Sequence, residues 1–394
     1  MARVSVVILL LVMMSLAGFI PVPTFAWSVE GHQLITAHSI ELLPSSWRQF
    51  FGYYDWYLAE ATAYPDSYYR AADPNEGPRH YVDLEVWNPN DPSTGTLPQA
   101  VEEFALKMEL AIESRNWNDA LLLAGRVAHY VEDDTQPYHT TINYDPVSRA
   151  GIGLHSVLDD SLVAHLSEIH ILPASSFGTL APIENLTDFA LKLAVQSHGF
   201  LSAINQTLID KGLDWSPELT GIIENRTNTA IEAVARVWYT AIANANASAP
   251  EIPSPNRLFI AIENVFATDN GLASLRLRVT DSLGVSTYAD VALLTADSTY
   301  RGQVANVFPP IGEYVIISEE GIHQNDRLTA ERAGYTGAAI TVGSASLTQT
   351  GSGGGWINLV LQTVDSLPVV TVVALVVMFA GILALLILRR IRDS

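Results

Sequence analysis

The segment His129-Tyr130-Val131-Glu132-Asp133-Asp134-Thr135-Gln136-Pro137-Tyr138-His139 sets a histidine and an aspartate four residues apart, then turns at a proline before a second histidine. On a helix that spacing points both side chains off one face. His129 and Asp133 therefore offer an imidazole nitrogen and a carboxylate oxygen to a common point. Zinc takes a few such nitrogen and oxygen ligands at about 2.0–2.2 Å, so the pair is a half-site for it. Pro137 ends the helix and lets the chain turn back over the same place, which brings His139 within range. His155-Ser156-Val157-Leu158-Asp159 repeats the spacing. One His-x-x-x-Asp pair has a plain reading, an exposed helical pair worth a few tenths of a kcal/mol. Two pairs, a third histidine at a helix end and no cysteine anywhere weigh against that reading.

Outward from this segment the apolar spacing stays helical from Trp27 to about residue 247. Val101, Phe104, Ala105, Met108, Ala111 and Ile112 follow the three-and-four rhythm of one helix face. Ala120 to Val131, Leu154 to Ile169, Phe189 to Leu208 and Ile222 to Ile242 behave alike. Pro44, Pro98, Pro137, Pro173 and Pro217 fall at or between these runs, where helix boundaries belong. The segment Asn246 to Asn256 is rich in proline and serine and reads as a linker. Beyond it the period shortens: Leu258 to Ile262, Leu275 to Val279 and Tyr314 to Ile317 read as strands between turns. The expected organisation is an all-α domain over 27–247, a linker at 248–257, a small all-β, sandwich-like domain over 258–350 and a glycine-rich spacer at 351–368.

Both ends read as membrane-directed. Arg3, the apolar stretch Val4 to Ile20 and the small residues Thr24 and Ala26 fit a signal peptide over 1–26, cleaved before Trp27. Val369 to Leu388 carries no charge and is long enough for a transmembrane helix, and Arg389, Arg390 and Arg392 assign the stub 389–394 to the cytoplasm. The expectation is an exported, cell-surface, single-pass type I membrane protein. Its 394 residues carry 21 Lys+Arg against 42 Asp+Glu, a net charge of -21. That balance argues against a basic groove tracking a nucleic-acid backbone. It leaves room for a metal site handling one phosphate at a time, because bound cations invert the local field. Without cysteine, any metal must be held by histidine and carboxylate.

Further motifs then fall into line. Trp27-Ser28-Val29-Glu30-Gly31-His32, Tyr64-Pro65-Asp66 and His80-Tyr81-Val82-Asp83, taken with His129 to His139 and with His155 and Asp159, resemble the zinc-dependent phospholipase C and single-strand-specific zinc nuclease superfamily. The resemblance runs from about Trp27 to Ala243. It implies an all-helical phosphodiesterase around three zinc ions. Asp66, His80, His129 and Asp133 would hold the first. His139, His155 and Asp159 would hold the second. The amino nitrogen and carbonyl oxygen of Trp27, with His32 and Asp133, would hold the third, Asp133 bridging two ions. It further implies hydrolysis by a zinc-activated water, with Asp66 orienting or deprotonating that water.

The two branches share these ligands. The nucleases carry an arginine three residues after the first-zinc aspartate; here that position is Tyr69, with Arg70 one further. The Tyr-Pro-Asp context and the short gap from His139 to His155 resemble the phospholipases, whereas Asp159 and the placing of His32 resemble the nucleases. A membrane tether and an acidic surface favour a phospholipid or another small phosphodiester, with single-stranded nucleic acid as the alternative substrate. A third reading is a zinc-containing surface protein without catalysis. His38, His165, His170 and His198 carry ordinary packing or surface readings, His165 being also a candidate partner of a ligand. The run Tyr53-Tyr54-Asp55-Trp56-Tyr57 reads as core packing or as an aromatic rim for a head group or base.

Overall fold

The computed structural model describes residues 27–147, 152–210, 215–267, 273–295, 299, 303–306, 311–318 and 321–343. The expected leader, spacer, membrane span and stub lie outside them. Among the described residues no helix is long and apolar enough to cross a membrane.

The first part is helical. The helices are α1 (Val29–Ile40), α2 (Ser45–Tyr53), α3 (Asp55–Tyr64), α4 (Leu97–Glu113), α5 (Trp117–Thr135), α6 (Leu154–Ala164), α7 (Leu186–His198) and α8 (Pro217–Ala245). Starts are written locally: the side chains of Ser28, Asn116, Asn185 and Ser216 each accept from a backbone N–H one turn on. The run expected from Phe189 to Leu208 is broken. α7 stops at His198, and after Gly199 and Phe200 a short helix (Leu201–Asn205) and a wider turn follow. Glycine adds no side-chain packing and costs backbone entropy in a helix, so the run divides there. Leu154 to Ile169 likewise stops as a helix at Ala164.

α5 is the axis of the helical part. Ala120, Leu121, Ala124, Val127, Ala128 and Val131 along it are buried in one apolar core with α3, α4 and α8. Gly125 faces α3, where an added Cβ would lie 2.5 Å from the Ala61 Cβ and 2.9 Å from the Thr62 nitrogen. The missing side chain is what lets α3 and α5 approach so closely. α3 then runs into a π turn, Pro65–Tyr69, one residue wider per turn than an α-helix.

The second part is all β. One sheet is β1 (Phe259–Ala267), β2 (Ala273–Thr280), β5 (Glu313–Ser318) and β4 (Gln303–Asn306), in that spatial order; a second is β3 (Asp290–Leu294), β6 (Arg327–Glu331) and β7 (Ala338–Thr341), and Asn256–Arg257 pairs in parallel with Tyr335–Thr336 apart from both. The pairings within both sheets are antiparallel. Alternation along β2 decides the faces: Leu275, Leu277 and Val279 are buried, whereas Arg276 and Arg278 point outward to Glu263 and Glu313. Leu293 and Leu328 of the other sheet share the core of Leu275 and Ile316, so the sheets pack face to face.

The Tyr-rich run lies at the seam between the two parts. The Tyr54 hydroxyl donates to Asp281 at 2.5 Å, and both groups are buried. Trp56 packs on Tyr288, and the Arg332 guanidinium lies 4.2 Å over the Trp56 ring. Val285 and Ile311 join the helical core.

Candidate metal centre

The residues singled out in the sequence converge. His32 comes from α1, Asp66 from the π turn after α3, His80 from a 3-10 turn, His129 and Asp133 from α5, His139 from the 3-10 turn after Pro137, and His155 and Asp159 from α6. All are at most 5% exposed. Asp133 lies at the centre. Its Oδ2 is 3.0 Å from His80 Nδ1 and 3.3 Å from His129 Nε2, and its Oδ1 is 3.6 Å from His32 Nε2. Asp66 closes the first group, Oδ1 at 3.5 Å from His80 Nδ1 and Oδ2 at 3.8 Å from His129 Nε2. The donor atoms of Asp66, His80 and His129 all lie within 4.8 Å of one another, as do those of His32, His129 and Asp133. His129 therefore belongs to both groups. On the far side His139 and His155 meet Nε2 to Nε2 at 2.9 Å, with Asp159 Oδ2 at 3.6 Å from His155 Nε2.

Several ligand candidates are oriented by partners outside the cluster. His129 Nδ1–H donates to the Thr62 carbonyl at 2.8 Å, which turns Nε2 inward and depends on the close helix approach at Gly125. His139 Nδ1–H donates to the His80 carbonyl. The Gln136 amide donates to Asp159 Oδ1 at 2.5 Å. Trp27 is fully buried, and its indole N–H donates to the Glu132 carbonyl at 3.1 Å and the Thr135 hydroxyl at 3.3 Å. His165 lies apart from the cluster, stacked on Trp215 and paired with Glu168.

The donor set fits a cation. Nε2 of His32, both oxygens of Asp66, Oδ1 of Asp133 and Oδ2 of Asp159 are buried without a hydrogen-bond partner. Unpaired buried carboxylate oxygens are costly, and facing imidazole nitrogens need a positive group or a shared proton between them. Burial pushes His80 and His139 well below the usual imidazole range and His155 down to about 4. The same burial holds Asp133 and Asp159 well above the usual carboxylate range. Neutral imidazoles are ready ligands, and a cation restores the carboxylates' charge.

Two charged residues absent from the sequence reading complete the surroundings. Glu132 accepts from His32 Nδ1 at 2.6 Å and from the Thr36 hydroxyl at 2.8 Å. Glu76, fully buried, accepts from Arg79 at 2.9 Å, from Arg126 at 2.6 Å and from the Tyr130 hydroxyl. Its Oε1 lies 3.7 Å behind His80 Nε2. The visible hint for Glu132 was its place inside the quoted motif; for Glu76 it was the spacing to Arg79 and His80, three and four residues on.

The cluster opens into a cleft of about 460 Å³, lined by His80, His139 and His155 together with Arg70, Tyr81, Tyr138 and Tyr144. The Arg70 guanidinium lies 3.7 Å from Asp66 Oδ1. Of the lining residues, Ile142 and Tyr144 are exposed.

No protein-family model and no curated protein sequence matches this chain. Among solved structures, an alpha-toxin of Clostridium perfringens from an avian strain is similar with a TM-score of 0.42 and 11% identity, over 79% of this chain and 91% of that one. The alpha toxin from Clostridium absonum is similar with a TM-score of 0.42 and 12% identity, over the same shares.

Proposed function

We propose that the chain is a zinc-dependent phosphodiester hydrolase of the phospholipase C type. The observation that carries the reading is the convergence of His32, Asp66, His80, His129, Asp133, His139, His155 and Asp159 behind an open cleft, with buried donor atoms unpartnered. Those residues would hold zinc, up to three ions by the resemblance, with the amino nitrogen and carbonyl oxygen of Trp27 joining His32 and Asp133 at the third. Zinc bound there supplies a Lewis acid and a water of lowered pKa. The chain's own groups supply the rest. Asp66, with neither oxygen hydrogen-bonded, is suited to take a proton from the attacking water. Arg70 on the cleft wall offers positive charge to an incoming phosphate. Tyr81, Tyr138 and Tyr144 line the cleft in front of the reacting centre.

A phospholipid substrate is favoured by the exposed apolar mouth and by the net charge of -21, which repels a polyanion. The signal peptide and membrane span read in the sequence would place such an enzyme at the cell surface. Arg70 favours the second reading, a single-strand-specific nuclease. It stands directly after the π turn, four residues past Asp66, with its guanidinium 3.7 Å from that carboxylate. Purified protein assayed side by side on phospholipid micelles and on single-stranded DNA decides between them. Release of phosphorylated head group, abolished by chelation, is the expected result. Cleavage of DNA with no release from lipid overturns the ranking, and zinc content with neither activity returns the non-catalytic reading.

A further inference from the structure

Glu132 lies inside the motif that supplies two ligand candidates, yet its side chain turns away from the cluster. It is fully buried, and its carboxylate lies within hydrogen-bond distance of the His32 ring and of two hydroxyls. His32 Nδ1 is at 2.6 Å from Oε2, the Thr36 hydroxyl at 2.8 Å from Oε1, and the Thr62 hydroxyl at 3.3 Å from Oε2. With Nδ1–H committed to this carboxylate, the proton of a neutral His32 ring is held on Nδ1 and the lone pair is left on Nε2. Nε2 is the atom that is buried without a hydrogen-bond partner, 3.6 Å from Asp133 Oδ1. The backbone carbonyl of the same residue takes the indole N–H of Trp27. One residue thus holds both the His32 ring, through its carboxylate, and the Trp27 indole, through its carbonyl.

We propose that Glu132 is the positioning residue of this subsite: its carboxylate fixes the tautomer and ring orientation of His32, and so the affinity of the cation held by His32 and Asp133. The inference rests on the metal-centre reading above. Carboxylates behind a ligating imidazole are worth about 10–100-fold in metal affinity. The Asp66–His80 and His139–His155 groups have other supports, so the effect should be confined to one ion.

The test compares the full chain with E132Q, a change that keeps shape and removes charge. Zinc per chain is measured by elemental analysis across a series of chelator concentrations. Ring-nitrogen NMR shifts of His32 are read in the metal-free protein. In the unaltered chain His32 should carry its proton on Nδ1. E132Q should release one ion at about 10–100-fold lower chelator concentration, the others at the original one, and its His32 shifts should move toward a tautomer mixture. A Thr36→Val variant, which removes one donor to the same carboxylate, should show a smaller shift in the same ion and serves if E132Q does not fold. An Nδ1-protonated His32 unchanged in E132Q, or identical release of every ion, overturns the inference. An unaltered chain that binds no zinc refutes the metal-centre reading instead, and the NMR result then still decides whether Glu132 orients the ring.

Discussion

Two sets of buried carboxylates share His80 as a wall and are solved in opposite ways. Behind His80, Glu76 is surrounded by Arg79, Arg126 and the Tyr130 hydroxyl, so its charge is balanced by the chain itself. In front of it, Asp66, Asp133 and Asp159 have imidazoles for neighbours and keep oxygens without partners. The first set is complete as a polypeptide. The second has one guanidinium, Arg70 beside Asp66, against three carboxylates. The contrast separates a structural ion cluster from a binding site better than burial does, since both are equally hidden from water.

The largest effect should come from removing metal. Chelation is expected to abolish hydrolysis and to lower the melting temperature, since ions that bind only the folded state stabilise it by mass action. Calorimetry that shows no change on chelation, with no zinc by elemental analysis, would break the comparison outright. Next, Asp133→Asn should cost more zinc per chain than Asp159→Asn. Asp133 faces His32, His80 and His129, whereas one oxygen of Asp159 is already taken by Gln136. Equal zinc content in the two variants would remove the bridging role of Asp133.

On the other side of His80, Glu76→Gln should destabilise the fold by about 3 kcal/mol, because removing one partner leaves Arg126 buried without its counter-charge. Urea denaturation measures this, and zinc content should stay at the original value; a loss of all zinc would merge the two sets into one. The smallest effect is expected from Arg70→Ala. Turnover of phospholipid should fall mildly with zinc unchanged, and a severe loss on nucleotide substrates would shift the reading to the nuclease branch.

The ligand candidates were legible because helical periodicity converts sequence spacing into geometry. His129 with Asp133 and His155 with Asp159 needed only a regular helix beneath them, and α5 and α6 provide it. Arg70 was harder: its offset from Asp66 does not match the nuclease spacing, although residues four apart on a helical stretch share a face. Glu132 was invisible as a partner because His32 lies 100 residues away, and only the local half of the Glu76 cluster, Arg79, was near in sequence, Arg126 lying 50 residues on. The strands at Leu275 to Val279 and Tyr314 to Ile317 declared themselves through alternation. The break at Gly199 did not, since the apolar rhythm runs on through it. The Tyr-rich run carried enough aromatic character for a rim or a core and became core, Tyr54 and Tyr57 buried with Tyr53 and Trp56 packed against them. What decided its place was Asp281, more than two hundred residues on.

That seam has a consequence for anyone dividing the molecule. Cutting at the proline-rich linker would leave the helical part with the Tyr54 hydroxyl robbed of its acceptor and Trp56 stripped of Tyr288 and Arg332. A newly bared aromatic face of that kind is sticky in water. The shortened protein should therefore self-associate even if its cleft survives intact, the β-sandwich serving its neighbour as a fitted cover over Tyr54 and Trp56.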